Sequence, residues 1–213
     1  MSTPDLDLLA LVQWLSPAFP TGAFAYSHGL EQAVVAGEVR TEAELGDWLS
    51  DILEHGAGWN DAVLLACGLR GADLAALSDL ARALAGTAER LRETEEQGAA
   101  FARARAEMTG TCTNQMPLPL AVAAAAKETS LPPDQVIALF QHAFASNLVS
   151  VGVRFIPLGQ AAGQRALAAL HPVIAQLAAR AATATPADLA QSAFRAEIAA
   201  AAHETLEVRI FKT

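Results

Sequence analysis

The stretch PPDQVIALFQHAFASNLVSVGVRFIP, residues 132–157, decides the fold. Pro132 and Pro133 suit the first turn of a helix, and Pro157 stops it. Between Val136 and Val153 there is no Asp, Glu, Lys or Arg. Roughly 18–20 apolar residues are enough to cross a bilayer, so the stretch is either a membrane span or the central helix of a bundle. Gln141, His142, Ser146, Asn147 and Ser150 decide between these, because hydrocarbon would leave their polar groups unsatisfied. The segment is therefore expected to form a helix to about Arg154, buried on most sides, with His142 a satisfied core histidine and no membrane span.

Outward from this helix the punctuation is also helical. Thr3-Pro4 opens a first helix carrying Leu8, Leu11, Val12 and Leu15. After the breaks at Ser16-Pro17 and residues 20–22, a second helix is expected from Tyr26 to Ala36, stopped by Gly37. Thr41 with Glu44 is a capping box for a third, with Leu45, Trp48, Leu49 and Ile52 on one face. Asn60-Asp61 is read as the cap of a short helix, and residues 73–84 as another. Gly86-Thr87 starts a longer one, whose alternating acids and arginines over residues 89–107 read as a solvated face or a charged docking face. Residues 109–114 read as a loop and 117–129 as an alanine-rich helix. A helix from Leu158 breaks near His171-Pro172, and Thr185-Pro186 with Asp188 starts the last, ending at His203. Leu206, Val208 and Ile210 alternate with Glu207 and Arg209 in a short tail with no strand to pair with. The expectation is all-α: one single-domain helical bundle of roughly ten helices, residues 1–203, with a flexible C-terminal tail at 204–213.

Composition agrees. Hydrophobic residues make up 53% of 213 and charged residues 17%, enough for a buried core. Much of the apolar content is alanine, which favours close-packed helices. The formal charge of −9 and scattered basic residues disfavour nucleic acid. A helical DNA-binding regulator of similar length is disfavoured on the same ground. Cys67 and Cys112 lack any metal or redox spacing and read as reduced thiols. The acidic start, Met1 to Asp7, is no signal peptide, and the chain is expected to be cytoplasmic.

The residues carry little chemistry. There is no Gly-x-Ser-x-Gly elbow, no Walker-type loop and no GxGxxG after a strand. His203-Glu204-Thr205-Leu206-Glu207 resembles a zinc-protease helix with its second histidine replaced, and a helix-end salt bridge is the plainer account. His28, His55, His142 and His171 stand apart in the sequence. No catalytic, cofactor or metal residue is assigned, and the chain is not expected to be an enzyme.

One segment is distinctive: SPAFPTGAFAYSHGLE, residues 16–31. Pro17, Pro20 and Gly22 define a loop shape, and Phe19, Phe24 and Tyr26 lie beside Ser27, His28 and Glu31. Local chemistry leaves two readings open, a protein interface or a set of aromatics pinning the loop to the core.

Across four segments the chain resembles the UreF family of urease accessory proteins. Residues 16–31 look like its N-terminal signature. Leu91-Arg92-Glu93 with Gln97-Gly98 is similar to its central helix, and Pro157-Leu158-Gly159-Gln160 with Gly163-Gln164 to its Pro-Leu-Gly-Gln segment. His203-Glu204 followed by Arg209-Ile210-Phe211-Lys212-Thr213 is similar to its C-terminal end. Phe19 stands where the family commonly has leucine, and Ile210, Lys212 and Thr213 stand in an Arg-Leu-Phe-Arg-Ser ending. Lys212 keeps the charge without a bidentate guanidinium.

The resemblance implies a non-catalytic adaptor, a chaperone of nickel insertion and metallocentre assembly in urease. It would bind UreD (also called UreH), recruit the GTPase UreG to apo-urease, and be a homodimer within that complex. An alternative is a regulator of GTP hydrolysis by UreG, with Arg92, Arg154 or Arg209 as candidates. It shifts residues 16–31 toward docking. The partner-binding residues it suggests are Pro20, Gly22, Phe24, Tyr26, Ser27, His28 and Glu31, then Pro157, Gly159 and Gln160, and finally His203, Glu204, Arg209 and Phe211. The tail, residues 204–213, would be mobile alone and order against a partner.

Overall fold

The two amides of the 136–153 stretch, Gln141 and Asn147, donate to backbone carbonyls elsewhere in the fold, which is how so apolar a segment can belong to a core. Gln141 is fully buried and donates from Nε2 to the Gly58 carbonyl at 2.8 Å. Asn147 Nδ2 donates to the Ala23 carbonyl at 2.8 Å, and Ser150 Oγ to the Ser146 carbonyl at 2.9 Å. A buried amide without a partner would be costly, so these bonds fix both the helix rotation and the loop it touches. His142 is half-buried rather than a core residue, and it lies against His171.

The computed structural model describes residues 3–111 and 114–212. Within them the order is α1 (Thr3–Leu15), a 3-10 turn (Ala23–Ala25), α2 (Leu30–Val35), α3 (Glu42–His55), α4 (Ala57–Leu69), α5 (Leu74–Ala83), α6 (Ala88–Thr109) and α7 (Leu118–Ala126). Then follow α8 (Pro133–Phe155), α9 (Gly159–Ala169), α10 (His171–Ala181), a second 3-10 turn (Pro186–Asp188) and α11 (Phe194–His203). No strand occurs among the described residues, and the chain is an all-α single domain. Cys112 and Thr213, named above, lie outside the described residues.

The helix α8 runs through the centre, packed against α1, α2, α3, α4, α9 and α10. By length and composition it could cross a membrane, but half of its most apolar window is buried in the fold. Val136, Ile137, Phe140, Ala145, Leu148, Val149 and Val151 supply the buried face. The alanine-rich α7 packs against α4 and α6, where small side chains let helix axes approach.

Local signals held where they were self-contained. Thr41 Oγ1 accepts from the Glu44 N–H at 3.2 Å and Glu44 Oε2 accepts from the Thr41 N–H at 3.0 Å, a complete capping box. Asp73 and Thr87 cap α5 and α6. Three boundaries differ from expectation. Helix α4 begins at Ala57, placing Asn60 inside it as a buried residue whose Oδ1 accepts from the Ala190 N–H. The Thr185/Asp188 box opens only a 3-10 turn, and α11 starts later at Phe194. Helix α2 starts at Leu30, because His28 and Gly29 both adopt positive φ, 51° and 74°. A helix cannot pass through two left-handed residues.

Candidate functional site

The segment 16–31 is pinned at one end by Phe19, buried against Phe101 with ring centroids 5.5 Å apart. Gly22, in the left-handed region at φ 75°, leads into the 3-10 turn, and Tyr26 is extended. The two left-handed residues that follow reverse the chain and send Ser27, His28 and Glu31 inward, where all three are buried. Gly29 has a second constraint: a Cβ there would lie 2.6 Å from the Ala200 backbone nitrogen of α11. Positive φ is unfavourable at a histidine, and the side-chain contacts of His28 hold it there. Its Nε2 meets Glu93 Oε1 at 2.8 Å and its ring packs edge-on against Phe144 at 4.7 Å.

The partners of this loop come from α6, whose charged run is solvated on one side, at Arg92, Glu95, Glu96, Arg103 and Glu107, and buried on the other. Glu89, Glu93, Gln97 and Arg105 are buried along one side of the helix. Glu93 takes His28 and the Gln97 amide (2.8 Å) on Oε1 and Arg90 at 3.5 Å on Oε2; Arg90 pairs with Asp61 at 2.6 Å. Burial alone would raise the Glu93 carboxyl, but the His28 and Arg90 charges outweigh it and hold it below the ordinary carboxylate value. Arg90 is in turn held above its ordinary value, because Asp61 and Glu93 outweigh the penalty of burial. Nearer the surface, burial and then the Glu96 carboxylate push the Tyr26 phenol up, and Tyr26 donates to Glu96 Oε2 at 2.6 Å.

The tail closes the second half of the site. Residues 204–212 fold back on the loop as an irregular segment, so the flexible tail expected from sequence is in contact here. Glu31 Oε1 accepts from the Ile210 N–H and Oε2 from the Phe211 N–H, both at 2.9 Å. The Lys212 N–H donates to the Ala25 carbonyl at 2.7 Å, and Lys212 Nζ pairs with Glu96 at 2.8 Å. Phe211 is buried, stacked on Phe155 at 5.3 Å. His203, fully buried, sits between two acids: Nε2 faces Glu31 Oε2 at 3.1 Å and Nδ1 faces Glu89 Oε2 at 2.7 Å. Arg209 adds a bond to Glu89 Oε1 at 2.5 Å, and Glu204 Oε1 accepts from the Glu89 N–H at 3.1 Å. The carboxylates lie on opposite nitrogens of His203, so no single ion is held by all three. Among the described residues no group of three or more His, Cys, Asp or Glu is placed to hold a metal.

The structure thus joins Glu31 to His203, Glu204, Arg209 and Phe211 through Glu89 and the tail backbone. It joins Tyr26 to the tail through Glu96 and Lys212, and ties His28 to Glu93 of the same helix α6. Pro20 and Phe24 point outward. Pro157, Gly159 and Gln160 are exposed where α8 gives way to α9, and none of them is hydrogen-bonded to the other site residues among the described contacts. Sequence reading missed Asp61, Glu89, Arg90 and Glu96 as site residues. The available signal was the polar stripe Glu89–Glu93–Gln97 continuing into Phe101 on the same face, since a buried phenylalanine orients the whole stripe inward.

These features define an all-helical domain whose buried ion pairs join the 16–31 loop to its own C-terminal segment. The UreF family model matches residues 39–171. Similar proteins include the urease accessory protein UreF of Cereibacter sphaeroides (strain ATCC 17029 / ATH 2.4.9), 61% identical over 206 residues that cover 97% of this chain and 98% of that protein. That of Paracoccus denitrificans (strain Pd 1222) is 51% identical over 212 residues, covering 99% and 98%. That of Roseobacter denitrificans (strain ATCC 33942 / OCh 114) is 47% identical over 207 residues, covering 96% and 93%. The chain belongs to the UreF family of urease accessory proteins.

Proposed function

We propose that this chain is a non-catalytic adaptor of urease maturation that works in the cytoplasm, binding UreD (UreH) and bringing the GTPase UreG to apo-urease for nickel insertion, as a homodimer within that complex. Family membership supports the process. One structural observation supports the manner. The tail joins the loop at the Lys212–Ala25 bond, and beside that joint Phe24, Val208 and Ile210 are 62%, 80% and 73% exposed. Large apolar side chains held outward on a rigid, ion-paired base suit a protein partner. The tail, residues 204–213, is on this reading a docking element already shaped by Glu31 and His203, which lowers the ordering cost of binding. Pairing of Arg82, Arg90, Arg105, Arg165 and Arg195 with acids leaves little continuous positive surface for nucleic acid.

Co-purification of the intact chain with UreD tests this reading. A stable complex at micromolar protein is expected, and its absence would count decisively against the adaptor. A second reading, regulation of UreG GTP hydrolysis, draws on the exposure of Arg92 and Arg154. It predicts a changed single-turnover GTPase rate when the chain is added, reversed by alanine at either arginine.

A further inference from the structure

His142 of α8 and His171 at the start of α10 are 29 positions apart in sequence and adjacent in space, with ring centroids 5.5 Å apart and planes tilted by 42°. His171 is exposed and His142 half-buried, so the pair opens to solvent on one side. Neither ring belongs to the loop–tail network. We propose that His142 and His171 form a two-histidine site for a divalent transition-metal cation that prefers imidazole, such as Cu2+, Ni2+ or Zn2+.

The spacing carries this inference. A metal lies about 2.1 Å from a ligating imidazole nitrogen, hence about 3.2 Å from the ring centroid; two rings at the tetrahedral angle then have centroids about 5.2 Å apart. The observed centroid separation, 5.5 Å, is close to that value. The scaffold is rigid, because α8 and α10 pack directly and Leu170, Ile174 and Ala145 around the pair are buried. The positive end of the α10 dipole works against a cation at His171. With no third His, Cys, Asp or Glu in reach among the described residues, water fills the remaining positions. The cation is therefore held reversibly, with copper bound tightest and nickel and zinc more weakly.

The test is independent of the adaptor reading, since it uses the purified chain alone. Titration with CuSO4 or NiCl2 in an imidazole-free buffer, followed by calorimetry, is expected to show one ion per chain. The Cu2+ electron paramagnetic resonance spectrum is expected to carry coupling to two nitrogens. His171→Ala, at an exposed position, keeps the thermal transition and is expected to weaken binding by at least about tenfold and leave one coupled nitrogen. His142→Gln is expected to do the same, and His55→Ala, an exposed histidine elsewhere, to change nothing. No binding up to about millimolar metal, or binding unchanged in His171→Ala, overturns the proposal.

Discussion

The loop and the tail that meet at Glu31 are held in different ways. The loop is fixed by its side chains: Phe19, Tyr26, Ser27 and His28 are buried, and each reaches a named partner. The tail is fixed by its backbone as well as its side chains: the N–H groups of Ile210, Phe211 and Lys212 donate to Glu31 and Ala25, beside the Arg209 and Lys212 ion pairs. Val208 and Ile210 point away from the protein, and only Phe211 is buried. Side-chain anchoring demands particular residues, whereas backbone anchoring demands one acceptor in the right place. The loop is thus a specific sequence, while the tail depends on a residue about 180 positions earlier, the separation of Phe211 from Glu31.

The most damaging way to break this comparison is Glu31→Ala. It removes the acceptor for two tail N–H groups and leaves His203 facing Glu89 alone, all in a buried site. Unfolding in urea is expected to report a loss of about 3–5 kcal/mol, the range for breaking a buried ion pair by removing one partner. Amide exchange at Ile210 and Phe211 is expected to become fast while that of α8 stays slow at matched stability. Protected tail amides in this variant would show that Phe211 burial, not Glu31, holds the tail. His28→Ala comes next. It leaves Glu93 with Arg90 and Gln97 but without its His28 hydrogen-bond partner, and relief of the left-handed strain offsets part of the loss. A net loss of about 1–3 kcal/mol is expected, with tail exchange unchanged.

Much of this architecture was legible where its causes were local. The Thr41 box and the caps at Asp73 and Thr87 use residues within one turn, and the helices begin where those caps say. The membrane question was answerable because Gln141 and Asn147 cannot be left unpaired in hydrocarbon. The α6 stripe was misread for the opposite reason. Glu89 and Glu93 look like solvent-facing acids, and what buries them arrives from His28, His203 and Arg209, which are 65, 114 and 120 positions away. The start of α2 was misplaced because Gly29 advertises a left-handed residue but His28 does not. The tail was read as free since nothing within it shows that its N–H groups have an acceptor waiting.

The pH dependence sharpens the loop half alone. Glu93 is held below its ordinary value in the folded protein, so the fold favours its ionised form. That contribution is present above the unfolded carboxyl value and is lost as pH falls through the lower folded one. Stability is therefore expected to drop on acidification below the ordinary carboxylate range, with proton uptake on unfolding. Glu93→Gln is expected to flatten that acid limb while lowering stability near neutrality. An acid limb of unchanged steepness in the variant would assign the transition to other carboxylates.

The smallest effect on stability is expected at the outward residues, and it is the one that separates a structural joint from a docking surface. Phe24→Ala and Ile210→Ala remove side chains that are 62% and 73% exposed, so little buried area is lost. Each is expected to stay within about 0.5 kcal/mol of the parent in urea. If the joint exists only to close the fold, the double variant should bind UreD as the parent does. If it is a docking surface, apolar residues at its centre are where truncation costs most, and affinity for UreD should fall by more than about 1 kcal/mol, roughly fivefold or greater. A Glu31→Gln variant provides the complementary case. It keeps Phe24 and Ile210 in place but turns an amide donor toward one tail N–H, so it should weaken UreD binding only to the extent that the tail is displaced. Equal affinity losses in the two variants would mean that the tail's position, more than its side chains, is what the partner reads.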